Sequence, residues 1–409
     1  MEQYTWIVPC LFGLEGLVAD EIRDLGCEAQ AENGRVKFTG TMEDMARVNL
    51  WMRCGERVLL QVGQWEAHTF DELFEGTKAL PWEQFISRDG EFPVKGHSLN
   101  SDLHSVPDCQ AIIKKAIAAR LGQAYHLTWL PEDTERYQVQ FSIMKNQVTL
   151  MIDTSGEGLH KRGYRKDANA APLRETLAAA MVKLARFRIQ RPFVDPTCGS
   201  GTIAIEAALM GTNRAPGINR SFAFEYFQFF DRHIMEKLRQ EARDAVKEEP
   251  FVVGAFDIDP KCVSLTTHNA GLAGVGRHVK AAVQDVAKLR TKAENGIIVC
   301  NPPYGERLME KKEAEQLYVA MGKSFSALPG WQYYILSSHE GFEQFFGRKA
   351  DKKRKLYNGM IKCDFYQYFR RLDGQPRPQK FAADGQRGRD AAPRRGAQRP
   401  RKEWNKREG

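Results

Sequence analysis

A glycine-rich turn between an apolar strand and an apolar helix constrains this chain more than any other feature. Phe193-Val194-Asp195 reads as the strand, Pro196 to Gly201 as the turn, and 202–210 as the helix. Gly199 and Gly201 let the backbone approach a ligand closely. Downstream, the apolar run Ile297-Ile298-Val299-Cys300 reads as a buried strand ending in Asn301-Pro302-Pro303-Tyr304. Around these two landmarks strands and helices alternate. Strands fall at 193–195, 251–256, 279–283, 297–300 and 333–336, and helices at 202–210, 261–273, 312–327 and 340–346. Strands 353–360 and 363–370 then meet at Asn358-Gly359, a hairpin signal. The fold class expected is α/β, with a mostly parallel, doubly wound sheet. Its ligand lies beyond the carboxyl ends of the strands, where the strand order reverses.

The second strand of this unit ends Phe256-Asp257-Ile258-Asp259-Pro260. Asp257 is placed to accept hydrogen bonds from a ribose, Ile258 to pack on a base, and Asp259 to cap the next helix. Asp257 lies farther from the glycines than the ~20 residues of the dinucleotide fingerprint. An insertion at 212–249, rich in aromatic and charged residues, accounts for the excess. Asp285, after the third strand, either meets an exocyclic amine or caps a turn. At Asn301-Pro302-Pro303-Tyr304 the chemistry is more specific. A base amine is a poor nucleophile because its lone pair is delocalised into the ring. An amide oxygen and a backbone carbonyl that accept its two hydrogens orient that lone pair for in-line attack. Prolines fix the carbonyl's direction.

The paired strings DPTCGSGT and NPPY resemble the class I methyltransferases that use S-adenosylmethionine to methylate exocyclic amino groups of nucleic-acid bases. The resemblance implies a cofactor site built from Asp195, Cys198, Gly199, Gly201, Thr202, Asp257, Ile258 and Asp285. It implies that the Asn301 side chain and Pro302 carbonyl accept the amine hydrogens, that Pro303 stiffens the turn, and that Tyr304 stacks on the extruded base. Neither a metal nor a covalent nucleophile is needed.

The first half reads differently. Residues 1–65 alternate strand and helix in a ferredoxin-like order. Residues 66–155 continue with helices at 70–79, 82–86 and 106–121, a strand at 91–95, and a hairpin of 137–144 with 147–152 turning at Lys145-Asn146. Phe92 to Gly96, Ser98 to Ser101 and the long helix after them resemble a THUMP domain, an RNA-binding module. That resemblance makes Lys95, Ser98, Lys114 and Lys115 candidate phosphate contacts; an ordinary α+β packing domain is the other reading. Residues 156–191 join the halves. There Leu159 to Arg165 and Ala171 to Ala179 are similar to the segment that precedes the methyltransferase domain in the same family. Arg162, Arg165 and Lys166 are candidate RNA contacts, or members of a solvated linker.

Residues 1–373, with the methyltransferase domain at 192–373, are together similar to the bacterial THUMP-containing guanine-N2 methyltransferases of 23S ribosomal RNA. The partner this implies is 23S RNA or a particle on the way to the large subunit. Transfer RNA is the alternative substrate. A different class of function also stands: an RNA-binding or remodelling ribosome-assembly protein. Oligomeric state is open.

Net charge separates a tail from the body. Residues 374–409 hold eleven Lys/Arg against four acids, so they carry +7 of the chain's +8. Their Gly/Pro/Ala/Gln-rich composition predicts a disordered arm that binds phosphates or solubilises the protein. No apolar run approaches the ~18 residues of a membrane span, and the start lacks a signal-peptide pattern, so a cytoplasmic protein without membrane contact is expected. The eight cysteines form no CxxC pair. Cys10, Cys262 and Cys300 are expected in the core.

Overall fold

The computed structural model describes residues 2–165, 173–304 and 310–369. Lys166 and the 374–409 tail lie outside the described residues.

The first half runs β1 (Tyr4–Pro9), α1 (Glu15–Asp24), β2 (Ala29–Glu32), β3 (Arg35–Gly40), α2 (Met42–Trp51), β4 (Leu59–Glu66), α3 (Phe70–Lys78), β5 (Val94–Leu99), α4 (Val106–Tyr125), β6 (Val139–Met144) and β7 (Gln147–Asp153). Local signals set these limits. Thr41 with Asp44 and Thr69 with Glu72 form reciprocal capping boxes that start α2 and α3. Lys145 and Asn146 both have positive φ and close the β6–β7 hairpin as expected. Strands from both expected modules, 1–65 and 66–155, join one seven-stranded sheet, β2-β3-β1-β4-β7-β6-β5, because β4 pairs with β7. The strand expected at 91–95 forms at Val94–Leu99 instead. Its partner β6 holds it in parallel register from Val94↔Val139 to Leu99↔Met144, and Glu91 contributes only an isolated bridge. The helix expected at 82–86 is a 3-10 turn, Trp82–Gln84.

The second half runs α5 (Glu175–Leu184), β8 (Phe193–Asp195), α6 (Thr202–Gly211), α7 (Arg232–Asp244), β9 (Val253–Asp257), α8 (Pro260–Leu272), β10 (Val279–Val283), β11 (Ile297–Cys300), α9 (Lys311–Ser326), β12 (Gln332–Ser337), α10 (Phe342–Phe346), β13 (Lys352–Asn358) and β14 (Ile361–Tyr368). Its seven strands order as β10-β9-β8-β11-β12-β14-β13. The first five are parallel, and β14 and β13 form an antiparallel edge. This is the doubly wound, Rossmann-like sheet expected. The order reverses at β8, whose neighbours are β9 and β11, so their carboxyl ends open on one crevice.

One core joins the halves. The insertion buries Phe222, Phe224, Phe227 and Phe230, and Phe227 stacks on Tyr137 with ring centroids 4.6 Å apart. Full burial of each such ring contributes about 2–3 kcal/mol. Gly217 N–H donates to the Leu50 carbonyl at 2.9 Å, where a Cβ would strike Leu50 backbone at 2.8 Å. Cys10 and Cys300 are buried as expected, but Cys262 is only half-buried on α8, its thiol turned toward Asp259 at 3.8 Å. Among the described residues no helix is long and apolar enough to cross a membrane.

Candidate active site

The turn after β8 is tied down from two neighbouring elements. Cys198 N–H donates to the Phe256 carbonyl at 2.8 Å, and Gly199 N–H donates to Asp257 Oδ2 at 2.9 Å. From α8, Thr266 Oγ1 donates to the Gly199 carbonyl at 3.0 Å and Asn269 Nδ2 to the Ser200 carbonyl at 3.1 Å. Gly199 and Gly201 sit at φ +54° and +82°, the left-handed region that glycine tolerates. A Cβ at Gly201 would lie 2.6 Å from the Thr266 methyl. Thr266 and Asn269 hold this turn in place, and the sequence reading missed both. Both are buried polar residues on one face of α8, yet nothing in that helix's own pattern distinguishes them from ordinary helical polar positions.

Asp195, Asp257 and Asp285 stand at the crevice, at or just past the ends of β8, β9 and β10. Asp195 is 1% exposed and, among the described residues, accepts a single backbone hydrogen bond, from Thr197 at 3.3 Å. Burial pushes its carboxyl well above the usual range, and Asp257 adds to the rise. Asp257 accepts from Gly199 and, through Oδ1, from Asp259 N–H at 3.0 Å, leaving further lone pairs on both oxygens. Asp259 caps α8 as expected, accepting from Lys261 N–H at 2.9 Å. Asp285 caps the 3-10 turn Val286–Lys288 through Ala287 N–H at 2.9 Å. Beside Asp257, Ile258 is 70% exposed and Val283 56% exposed, two apolar faces at the ends of adjacent strands that no described residue covers. A close backbone turn, a buried uncompensated carboxylate and bare apolar faces fit S-adenosylmethionine, whose parts are a cationic amino acid, a ribose and a planar base.

Asn301-Pro302-Pro303-Tyr304 follows β11, across β8 from Asp257. The Tyr304 hydroxyl donates to Asn301 Oδ1, the acceptor expected to meet the target amine. Burial, with Cys363 alongside, pushes that phenol well above its ordinary range. From α9, Tyr318 donates to the Pro303 carbonyl at 2.7 Å. Tyr318 is fully buried and was not anticipated from sequence.

The expected RNA contacts divide. Lys95 is exposed and lines a groove of about 690 Å³ between the first sheet and the insertion, with Arg136 and Tyr226. Lys115 is exposed on α4. The Ser98 hydroxyl is buried without a hydrogen-bond partner among the described residues. Lys114 is committed to Glu132 and to the Phe92 carbonyl, with its ammonium 3.6 Å from the Phe92 ring centroid. Arg162 corrects the sequence reading. It is 4% exposed and donates to the Leu159, Met52 and Arg53 carbonyls, with Glu206 at 3.5 Å, so it clamps the two halves and offers no face to a phosphate. Arg165 pairs with Glu175 at 2.7 Å and donates to the Leu173 carbonyl and, at 3.4 Å, to Thr202 Oγ1. It braces the start of α6 beside the glycine-rich turn.

Comparison with known proteins agrees with this layout. Residues 162–367 match the RMKL-like methyltransferase domain family, 5–59 the RlmL ferredoxin-like domain and 67–153 the THUMP domain. The chain is 48% identical over 385 residues to "Putative RNA methyltransferase YpsC" of Bacillus subtilis, covering 93% of this chain and 98% of that protein. It is 33% identical to "Ribosomal RNA large subunit methyltransferase K/L" of Psychromonas ingrahamii over 89% of this chain, but spans only 50% of that longer protein. A solved structure from Listeria monocytogenes, described as a "predicted N6-adenine-specific DNA methylase", shares 46% identity at a TM-score of 0.87, covering 91% of this chain and 97% of that one. SMU.472, "a putative methyltransferase complexed with SAH", shares 42% identity at a TM-score of 0.86, covering 91% and 99%. The doubly wound sheet, with a glycine-rich turn at its switch point and Asn301-Pro302-Pro303-Tyr304 beside it, agrees with these matches: the chain belongs to the RMKL-like methyltransferase family and carries the RlmL ferredoxin-like and THUMP domains before its methyltransferase domain.

Proposed function

We propose that this protein transfers a methyl group from S-adenosylmethionine to the exocyclic N2 amine of a guanine in RNA, with 23S ribosomal RNA as the substrate. The observation that carries this reading is the position of Asn301-Pro302-Pro303-Tyr304 at the carboxyl end of β11, across β8 from the cofactor turn. Support for RNA comes from the THUMP match and from the names of the relatives, the large-subunit methyltransferases above all.

When bound, S-adenosylmethionine supplies an electrophilic sulfonium methyl. The chain's own residues do the rest. The 198–201 turn and Asp257 hold the ribose side, and Asp195 pairs with the donor's cationic amine. Ile258 and Asp285 hold the adenine. Asn301 Oδ1 exchanges the Tyr304 hydroxyl for one amine hydrogen, and the Pro302 carbonyl accepts the other. The amine lone pair then faces the methyl, and Tyr304, released, stacks on the base.

A second reading is an adenine N6 target, favoured by the Listeria structure's description and by an acceptor geometry that suits either amine. Nucleoside mass spectrometry on size-separated RNA from a deletion strain and its parent tests both. Loss of N2-methylguanosine from 23S RNA is the expected result. Loss of a methyladenosine instead overturns the choice of base, and loss from transfer RNA overturns the choice of substrate. No change in any methylated nucleoside would favour a role in RNA binding alone.

A further inference from the structure

A hairpin beside the acceptor tetrapeptide carries charge that the fold does not use. β13 is the outer strand of the second sheet and reads Lys352-Lys353-Arg354-Lys355-Leu356-Tyr357-Asn358. β14 returns with Lys362. Two of these cations are committed. Lys353 Nζ lies 2.9 Å from Glu343, and Arg354 donates to the Gly13 carbonyl at 3.1 Å. Lys352, Lys355 and Lys362 are exposed, and none has an ion-pair partner among the described residues. Of the nearby acids, Asp351 pairs with Arg348 at 3.0 Å, and Asp364 stands opposite Lys355 across the ladder.

The tip is as unusual as the strands. Asn358 pairs with Ile361, so the loop is the two residues Gly359 and Met360, with Gly359 at φ +65°. Met360 is 98% exposed, an unbranched apolar side chain held entirely in water. Asn358 lies beside the Tyr304 hydroxyl, so the tip projects two residues from the acceptor tetrapeptide.

We propose that this hairpin grips the RNA around the target nucleotide: Met360 enters the base stack at the gap left by the extruded base, and Lys352, Lys355 and Lys362 hold the flanking phosphates. The proposal rests on the reading of an RNA base as substrate. A base whose amine is to be methylated has to leave its stack, and the gap it leaves favours an apolar wedge. Lysines without protein partners release counterions when they meet phosphates. Charge on an outer strand also discourages edge-to-edge pairing between copies. That accounts for Lys352 and Lys355. It does not account for Lys362 on the inner strand, and an exposed Met360 works against it.

The test uses the full chain, a fluorescein-labelled RNA stem-loop for binding, and 23S RNA from a deletion strain for methyl transfer. Lys352→Ala/Lys355→Ala/Lys362→Ala is expected to weaken stem-loop binding about tenfold and to reduce the slope of log K against log salt by about 2. Met360→Ala is expected to bind within about twofold of the parent but to methylate at least about tenfold more slowly, with Met360→Leu restoring most of the rate. S-adenosylmethionine binding stays unchanged in every variant. An unchanged salt slope in the triple variant overturns the phosphate contacts, and self-association of that variant by sedimentation would then assign the lysines to edge protection. A parental rate in Met360→Ala overturns the wedge. If the parent protein methylates no RNA, the functional reading fails and the wedge with it, while the salt slope still decides the lysines.

Discussion

The two sides of the reaction crevice are held in different ways. The donor side, 198–201, is fixed by hydrogen bonds from β9 and α8, all of them long-range. On the acceptor side, 301–304, Tyr318 donates to the Pro303 carbonyl, Tyr304 is latched onto Asn301, and the Tyr304 hydroxyl also meets Asn358 and Cys363 of the β13–β14 hairpin. The donor is the same small molecule in every turnover, so a rigid cradle costs nothing in adaptability and avoids ordering entropy on binding. In the reaction proposed above, the acceptor has to receive a base pulled from RNA. On that reading Asn301 Oδ1 is occupied by Tyr304 until the base arrives, and the exchange of one hydrogen bond for another keeps Asn301 oriented without leaving it unpaired.

The sharpest way to break this contrast is Asn301→Ala. We expect transfer to fall about 10²–10³-fold while donor affinity stays within about twofold, because a preorganised polar group at the reacting atoms is lost and the cradle is untouched. Single-turnover methylation with calorimetric titration of the donor measures both. Comparable losses of both would mean that the two sides are one unit.

Gly201→Ala attacks the other side. A Cβ there lies 2.6 Å from the Thr266 methyl on a backbone at φ +82°. We expect about 2 kcal/mol of destabilisation and at least about tenfold weaker donor binding. Intact donor affinity in this variant would show that the turn adapts, contrary to its hydrogen bonding.

Asp195→Asn sharpens the comparison by separating stability from function. Burial raises the Asp195 carboxyl pKa above its unfolded value. The folded protein therefore binds a proton that the unfolded chain has released. Stability from this group is full below the unfolded pKa, about 4, and is lost as pH rises through the folded value. The free variant is expected to melt a few degrees higher than the parent at pH 8, with the gap closing toward pH 4. Its donor affinity is expected to fall at least about tenfold, since the partner of the cationic amine is gone. Thermal melts across pH with and without donor check the sign. A variant that melts lower at pH 8 and binds normally would remove Asp195 from the cofactor site.

The same contrast marks what the sequence could reveal. The turn at Gly199 and Gly201 and the strand ends at Asp195, Asp257 and Asn301 were legible because strand, turn and helix signals lie adjacent in the chain. Thr266, Asn269 and Tyr318 were not, because their meaning comes from partners 15 to 69 residues away. Arg162 was misread for a related reason. A basic, glycine-broken segment looks solvated until the Met52 and Arg53 carbonyls and Glu206 fold around it. The strand β2, Ala29–Glu32, escaped because its AQAE sequence has no apolar alternation, and only pairing with β3 makes it a strand. The shared sheet of the first half depends on β4 meeting β7, which no local pattern announces.

The smallest expected effect is Tyr318→Phe, and it bears most directly on how the acceptor side is held. The substitution removes only the hydroxyl, which donates to the Pro303 carbonyl at 2.7 Å and meets Ser337, leaving the buried ring against His339 and Phe342. Loss of one neutral hydrogen bond is worth about 1 kcal/mol. If that bond positions the turn for attack, the loss falls on kcat, about fivefold, with unchanged donor affinity. If the prolines' own fixed rotation suffices, kcat stays at the parent value and only the melting temperature drops. The second outcome would make the acceptor tetrapeptide a self-supporting turn, and the contrast between the two sides of the crevice would then lie in their chemistry rather than in how firmly the rest of the fold holds them.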